Sequence, residues 1–359
     1  MRRRRTAVVF LALLVVAVMA TVGCQRQAQQ APQAPKIKVG LVYDVGGRGD
    51  LSFNDMAFAG LERAQREFGD RIETRDLEPT AGGENREELL RLLAGEGYEL
   101  ILGIGFLFTD SITRVSKDFP NVKFGIVDGF IPDLTAQSNV VCLLFNEHEG
   151  SFLVGAAAAQ ASKTGKIGFV GGMKIPLIEK FEVGFIAGAK YVNPNIEVFS
   201  EYAGTTGEAF RDPVKGKELA LAEYDRGADI IYHASGGTGI GVFEAAVVKD
   251  KLAIGVDADQ SLTVKEDQRP HILTSMLKRV DVAVFETIKA LVDGKFTGGY
   301  RNFGLADDGV GYAENDVNRD MIAPYKAKLE ELKGKIISGE IVVPTNKAEL
   351  ATFLQNLPK

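Results

Sequence analysis

Carboxylates and glycines crowd one short stretch of the chain. Residues 44–55 read DVGGRGDLSFND and place Asp44, Asp50 and Asp55 beside Gly46, Gly47 and Gly49. A phosphate or dinucleotide cradle wants G-x-G-x-x-G at a helix start. Counted from Gly47, the third glycine position is Ser52, no Walker lysine follows, and two aspartates inside the loop repel phosphate. A divalent cation wants converging carboxylates, whereas gaps of six and five residues spread these over a loop and a helix. Glycine here serves a tight turn with positive φ, and Ser52 is placed to cap the helix that follows. Arg48-Gly49-Asp50 matches an adhesion tripeptide by letter only. His148, His233 and His271 have no ligand spacing, and no G-x-S-x-G elbow or Ser/His/Asp set is present. The reading is therefore a binding protein without catalytic residues, metal or cofactor.

Further polar and glycine residues stand where short apolar runs end. Asp128-Gly129 follows one run, Ser235-Gly236-Gly237-Thr238-Gly239 another, and Asp257-Ala258-Asp259-Gln260 a third. In open parallel α/β sheets, ligands sit outside the carboxyl ends of the strands. The runs themselves predict strands over 38–43, 72–77, 100–104, 124–127, 140–145, 166–170, 196–202, 229–233, 252–256 and 272–275. Helix-period segments separate most of them. Over 52–68, Phe53, Met56, Ala57, Gly60, Leu61 and Ala64 share one face. Strands alternating with helices imply βαβ units and mostly parallel sheets. The rhythm runs twice, which predicts an α/β protein of two Rossmann-like lobes joined by a hinge. The first lobe is expected over 37–145 plus about 271–305, the second over 146–270 plus about 306–359, with a polar cleft between them.

The first 36 residues differ in kind. Arg2 to Arg5 precede the uncharged run AVVFLALLVVAVMATV, then Gly23 and Cys24. This is the pattern of a secretory signal over 1–23; an uncleaved anchor would be a short span. Cys24 after a small residue resembles a bacterial lipobox and is the candidate lipidation site, although Thr21 stands where that motif usually has Leu. Gln, Ala and Pro over 24–36 read as a flexible tether. The chain has 359 residues, 42 basic and 48 acidic, for a net charge of −6. Cleavage before Cys24 removes four arginines, leaving 38 basic residues and a net of −10. An acidic body argues against nucleic acid as a partner. Cys142, inside VVCLLF, is expected to be a buried small hydrophobe, and two cysteines exclude a disulfide scaffold.

Seven segments together resemble the basic membrane protein family, the purine-nucleoside-receptor type of bacterial substrate-binding lipoprotein. They are KIKVGLVYDVGGRGDLSFNDMAFAGLERA (36–64), GIVDG (125–129), FNEHEGSFLVGAAAA (145–159), KFEVGFIAGAKYVNPNIEV (180–198), HASGGTGIGVFEAA (233–246), IGVDADQ (254–260) and SMLKRVDVAVFETI (275–288). The resemblance implies the type I periplasmic-binding-protein fold. It also implies a nucleobase held between two rings, Phe53 from the first lobe and Phe181 from the second, with Phe185 as the alternative to Phe181. Asp128 would accept from the base edge, with Asn54 and Asp44 completing the first-lobe contacts. Asp257 and Lys278 would bind ribose hydroxyls beside the Gly236 and Gly237 backbone. The ligand would be guanosine, inosine or adenosine. The partners would be the permease and ATPase of an ABC importer, with the membrane reached through the lipid anchor. The alternatives are a sensor or surface adhesin of the same fold, a calcium-dependent nucleoside hydrolase, and a sugar-binding protein.

Overall fold

The computed structural model describes residues 35–80 and 82–357. The signal segment, Cys24 and nearly all of the tether lie outside the described residues. The first eight elements are β1 (Ile37–Val42), α1 (Phe53–Phe68), β2 (Ile72–Leu77), α2 (Arg86–Gly95), β3 (Leu100–Ile104), α3 (Thr109–Asp118), β4 (Lys123–Val127) and β5 (Val140–Phe145). The next are α4 (Glu147–Ala161), β6 (Lys166–Met173), α5 (Pro176–Val192), β7 (Glu197–Gly204), α6 (Pro213–Asp225), β8 (Ile230–Ala234), α7 (Gly239–Lys249) and β9 (Leu252–Asp257). The chain ends with β10 (Ile272–Lys278), α8 (Val280–Val292), β11 (Gly299–Phe303), β12 (Val310–Tyr312), α9 (Arg319–Ile337) and α10 (Lys347–Gln355).

Strands buried on both faces read as continuous apolar runs rather than alternating ones. LILGI in β3 and IIYHA in β8 are buried at every position. Each therefore sits inside a sheet covered by helices on both sides. The first sheet has the order β11-β5-β4-β3-β1-β2 and is parallel throughout. The second has the order β12-β10-β9-β8-β6-β7, parallel except for the edge pair β10–β12. The two orders are the same doubly wound pattern, so β1, β3 and β4 correspond to β6, β8 and β9. The duplication is visible in topology and not as a sequence repeat.

The chain crosses between lobes three times: from β5 into α4, from β10 into α8, and from β11 to β12. The expected return of all of 271–305 to the first lobe is corrected here. Ile272–Lys278 adds to the second sheet beside β9, and the return begins with α8, which packs on α1. Strand pairing decides this, and a lone apolar strand carries no signal of which sheet it will join. Residues 347–355 form a helix that the sequence reading did not anticipate.

In the second lobe α4 and α5 pack closely because glycines face backbone. A Cβ at Gly188 would lie 1.9 Å from the Phe152 carbonyl oxygen, and one at Gly155 would lie 2.1 Å from that of Phe185. This contact, with the alanines 156–159, explains why α4 is buried nearly all round. Cys142 is fully buried in the first-lobe core and is a free cysteine among the described residues.

Candidate functional site

The carboxyl ends of both sheets open onto one interlobe cavity. Its empty volume is about 570 Å³, part of it open to solvent. Eight of the nine residues singled out from the sequence line it: Asp44, Phe53, Asn54, Asp128, Phe181, Gly236, Asp257 and Lys278. Gly237 does not line it but is buried one residue away. Phe181 and Phe185 separate clearly. Phe181 lines the cavity, whereas Phe185 is fully buried, with its ring 5.1 Å from that of Tyr232 in the second-lobe core.

The loop after β1 organises itself with its own carboxylates. Asp50 accepts hydrogen bonds from the backbone N–H of Ser52, Asn54 and Asp55 and from Asn54 Nδ2. It therefore does the capping work at the start of α1. Ser52, expected to cap, makes no side-chain cap there. Its hydroxyl instead donates to Asp257 Oδ2 at 2.5 Å and lies 3.3 Å from the Val256 carbonyl. Asp55 accepts from the N–H of Gly49 and Leu51, and Asp44 accepts from that of Val45. The Asp44 N–H in turn donates to Asn54 Oδ1 at 3.0 Å. The three aspartates brace a turn rather than converge. Among the described residues, no group of His, Cys, Asp or Glu is placed to hold a metal ion. Arg48 lies over the Phe58 ring and Asp50 is buried, so the Arg-Gly-Asp letters form no exposed tripeptide.

Lys278, at the end of β10, is the cation that lines the cavity. Its side chain is 2% exposed and reaches Asp128 Oδ2 at 2.5 Å, with Glu147 Oε1 at 3.6 Å. Its ammonium lies 5.0–5.5 Å from the ring centroids of Phe53, Phe145 and Phe181. Cation–π attraction adds to the ion pairs at that range. Burial pulls the ammonium down, but Asp128, Glu147 and Asp257 outweigh it and hold Lys278 above its ordinary value. Burial pushes Asp44 and Asp257 up to about 6 and Asp50 up to about 7. It also raises Asp128, against the pull of Lys278 and with the push of Glu147. Asp128 Oδ1 and Glu147 Oε1 are buried without a hydrogen-bond partner. A ligand N–H or O–H would satisfy Asp128 Oδ1.

Asp128 and Asp257 both have φ of 63°. They close the equivalent strands β4 and β9. Left-handed backbone at a non-glycine residue is sparsely populated and clusters at functional sites. The repeated fold thus turns one carboxylate from each lobe toward the cavity by the same local conformation. Topology alone reveals the equivalence.

Sequence reasoning missed several lining groups. Phe106 lies two residues past the end of β3, so a survey of every strand end would have found it. Phe210 ends a single 3-10 turn with no periodic signal, and its ring meets that of Phe106 at 6.4 Å, edge to face, across the lobes. Asp50, weighed from the sequence for a metal and not for a ligand, also lines the cavity, as does Ser235 from the glycine-rich run. His233 does not line the cavity. It is fully buried, 3.0 Å from Gln260 Oε1, and burial lowers its pKa to about 4.

Two lobes of one strand order, joined by three crossings and closed on a polar and aromatic cavity, define a type I periplasmic solute-binding protein. A solute-binding protein of an Aeropyrum pernix ABC transporter system has the same fold, with a TM-score of 0.78, 32% identity, and coverage of 89% of this chain and 97% of that one. The chain belongs to the basic membrane protein family, the PnrA-like substrate-binding proteins of ABC transporters, whose profile matches residues 36–347. It is 34% identical to an ABC transporter nucleoside-binding protein, BmpA, of Lactococcus lactis, over 96% of this chain and all of that one. It is 36% identical to a CD4+ T-cell-stimulating antigen of Listeria innocua, over 95% and 99% of the two chains. An uncharacterized lipoprotein of Pyrococcus abyssi is 35% identical over 100% of this chain and 97% of its own.

Proposed function

We propose that this substrate-binding protein captures a purine nucleoside outside the cytoplasmic membrane and hands it to the permease and ATPase of an ABC importer. One observation carries the choice of ligand. Rings from both lobes line the same cavity as four aspartates and one lysine. Flat apolar faces suit a base. Carboxylates suit hydroxyl and N–H donors, and an excess of them repels phosphate. The ligand is thus a nucleoside rather than a nucleotide.

In this reading Phe53 stacks on one face of the base and Phe181 on the other, with Phe210 completing the second-lobe wall. Asp128 accepts from the base edge through the oxygen that lacks a partner. Asn54 and Asp44 complete that end. Asp257 accepts from ribose hydroxyls while Lys278 donates, beside Gly236 and Gly237. The relatives named as a nucleoside-binding protein and a lipoprotein support the ligand class and the anchor, with Cys24 as the acylated residue. Among the described residues no helix is long and apolar enough to cross a membrane.

Calorimetry of the purified protein against nucleosides, nucleotides, free bases and free sugars tests the reading. Guanosine, inosine or adenosine should bind, and their 5′-phosphates and free ribose should not. Phe53→Ala and Asp257→Ala should each weaken binding by about 1–3 kcal/mol, from lost stacking and lost charged hydrogen bonds. Wild-type affinity in both would remove the site assignment. A loss in Phe210→Ala with none in Phe181→Ala would move the second stacking role to Phe210. Release of free base on long incubation would make the protein a hydrolase instead.

A further inference from the structure

Two residues that do not line the cavity tie the lobes together. Leu51, in the first-lobe loop, has φ of 56°, a conformation unusual for a branched side chain. Asp55 holds it there by accepting its N–H at 2.9 Å. The side chain packs away from its own lobe, against the second-lobe core that includes Phe243 and Val264. Its carbonyl accepts from Gln260 Nε2 at 3.0 Å. Gln260 is fully buried and fixed by its own lobe. Its Oε1 accepts from the Val256 N–H at 2.8 Å and faces His233 Nε2 at 3.0 Å, while its N–H donates to Ser275 Oγ at 3.1 Å. With Oε1 so committed, the amide NH₂ is left to point at the other lobe. The next residue, Ser52, crosses the same boundary to Asp257. Backbone strain held by surrounding contacts is common at such moving parts.

We propose that Leu51 and Gln260 are positioning residues of an interlobe latch. They add stability to the closed arrangement independently of ligand, and through Ser52 they align Asp257 with Phe53 and Asn54. The proposal rests on the reading of a protein that closes on its ligand. Apparent affinity scales with the fraction of molecules in the competent state, so losing the latch weakens binding without removing a ligand contact.

The test is hydrogen exchange by mass spectrometry on the ligand-free full chain, comparing wild type with Leu51→Ala, Leu51→Met and Gln260→Glu. Leu51→Ala should speed exchange of amides in 50–56 and 256–260 by about tenfold, the factor that ~1.4 kcal/mol represents. Strands β3 and β8 should keep their protection. Leu51→Met retains the apolar reach and should stay near wild type. Gln260→Glu keeps the Oε1 acceptor but sets a carboxylate oxygen against the Leu51 carbonyl, and should open the same segments. Where nucleoside binds, Leu51→Ala should raise the dissociation rate about tenfold with little change in association. Unchanged exchange in Leu51→Ala overturns the proposal, as does a rise spread evenly over the core strands. If Gln260→Glu does not fold, the Leu51→Ala and Leu51→Met pair decides. If the exchange pattern appears but no nucleoside binds, the latch stands and the ligand reading falls.

Discussion

Replacing Lys278 with Met removes the ammonium that balances the carboxylates around the cavity. Asp128 Oδ2 is 2.5 Å from it and Glu147 Oε1 is 3.6 Å away, with both side chains at most 5% exposed. Breaking a buried pair by deleting one partner costs about 3–5 kcal/mol, because the other charge stays buried without compensation. Lys180, 3.2 Å from Glu147 Oε2, still serves that carboxylate, so Asp128 bears most of the cost. Asp128 escapes by taking a proton. Its pKa, already raised by burial, rises further in the variant, while the unfolded carboxyl stays near its ordinary value. Above that ordinary value the unfolded chain sheds a proton that the folded variant keeps, so stability falls as pH rises. Each pH unit in that window is worth up to about 1.4 kcal/mol. Urea denaturation at pH 8 and pH 5 measures this directly. Lys278→Met should lose about 3–5 kcal/mol at pH 8 and less than half of that at pH 5. Adding Asp128→Asn should return about 2 kcal/mol at pH 8, since the orphaned charge is gone. A loss below about 1 kcal/mol at pH 8, or an equal loss at both pH values, would refute the argument that the ammonium acts as a buried counterion.

Three further outcomes follow from groups outside the cavity. His233 is fully buried with its pKa lowered to about 4, so from about pH 6.5 down to 4 the unfolded chain takes a proton that the folded one refuses. His233→Asn should reduce the resulting acid sensitivity by up to about 3 kcal/mol between pH 7 and 4, and an unchanged pH profile of denaturation would contradict this. Glu223 is fully buried, and burial raises its pKa well above the ordinary value. Glu223→Met should therefore stabilise the protein by about 1–3 kcal/mol at pH 8 and by less at pH 4, where the unfolded carboxyl is protonated too; thermal scans at the two pH values decide. Gly188→Ala would put a Cβ 1.9 Å from the Phe152 carbonyl. It should cost about 1–3 kcal/mol in denaturant titrations, and a neutral result would show that α4 and α5 separate at little cost.

The architecture was largely legible because its signals are local. Apolar runs such as LILGI, each followed by an amphipathic segment, are enough to announce parallel α/β lobes. Strand ends carrying Asp128-Gly129 and Asp257-Ala258 point to where a site must lie. Lys278 is different. Nothing local separates it from a surface lysine at a strand end, and family resemblance rather than periodicity brought it forward. Phe210 and Glu147 left no signal, and Gln260 only its place in a polar strand end, because each gains its role from a partner more than 25 residues away. Ser52 shows the opposite error. Its local pattern predicts a cap, but Asp50 takes the cap and frees the hydroxyl for the other lobe.

By itself, the sequence determined the twofold βαβ rhythm, the address-like first 36 residues, the acidic balance, and the family through seven ordered segments. These depend on spacing and composition, which need no knowledge of what touches what. Only the tertiary structure decided that β10 joins the second sheet. It alone separated Phe181 at the cavity from Phe185 in the core, four residues along the same helix. It alone paired Lys278 with Asp128, 150 residues earlier in the chain, and set Leu51 into the opposite lobe. Periodicity reports which face of an element is apolar, whereas strand pairing and lobe closure decide which groups meet.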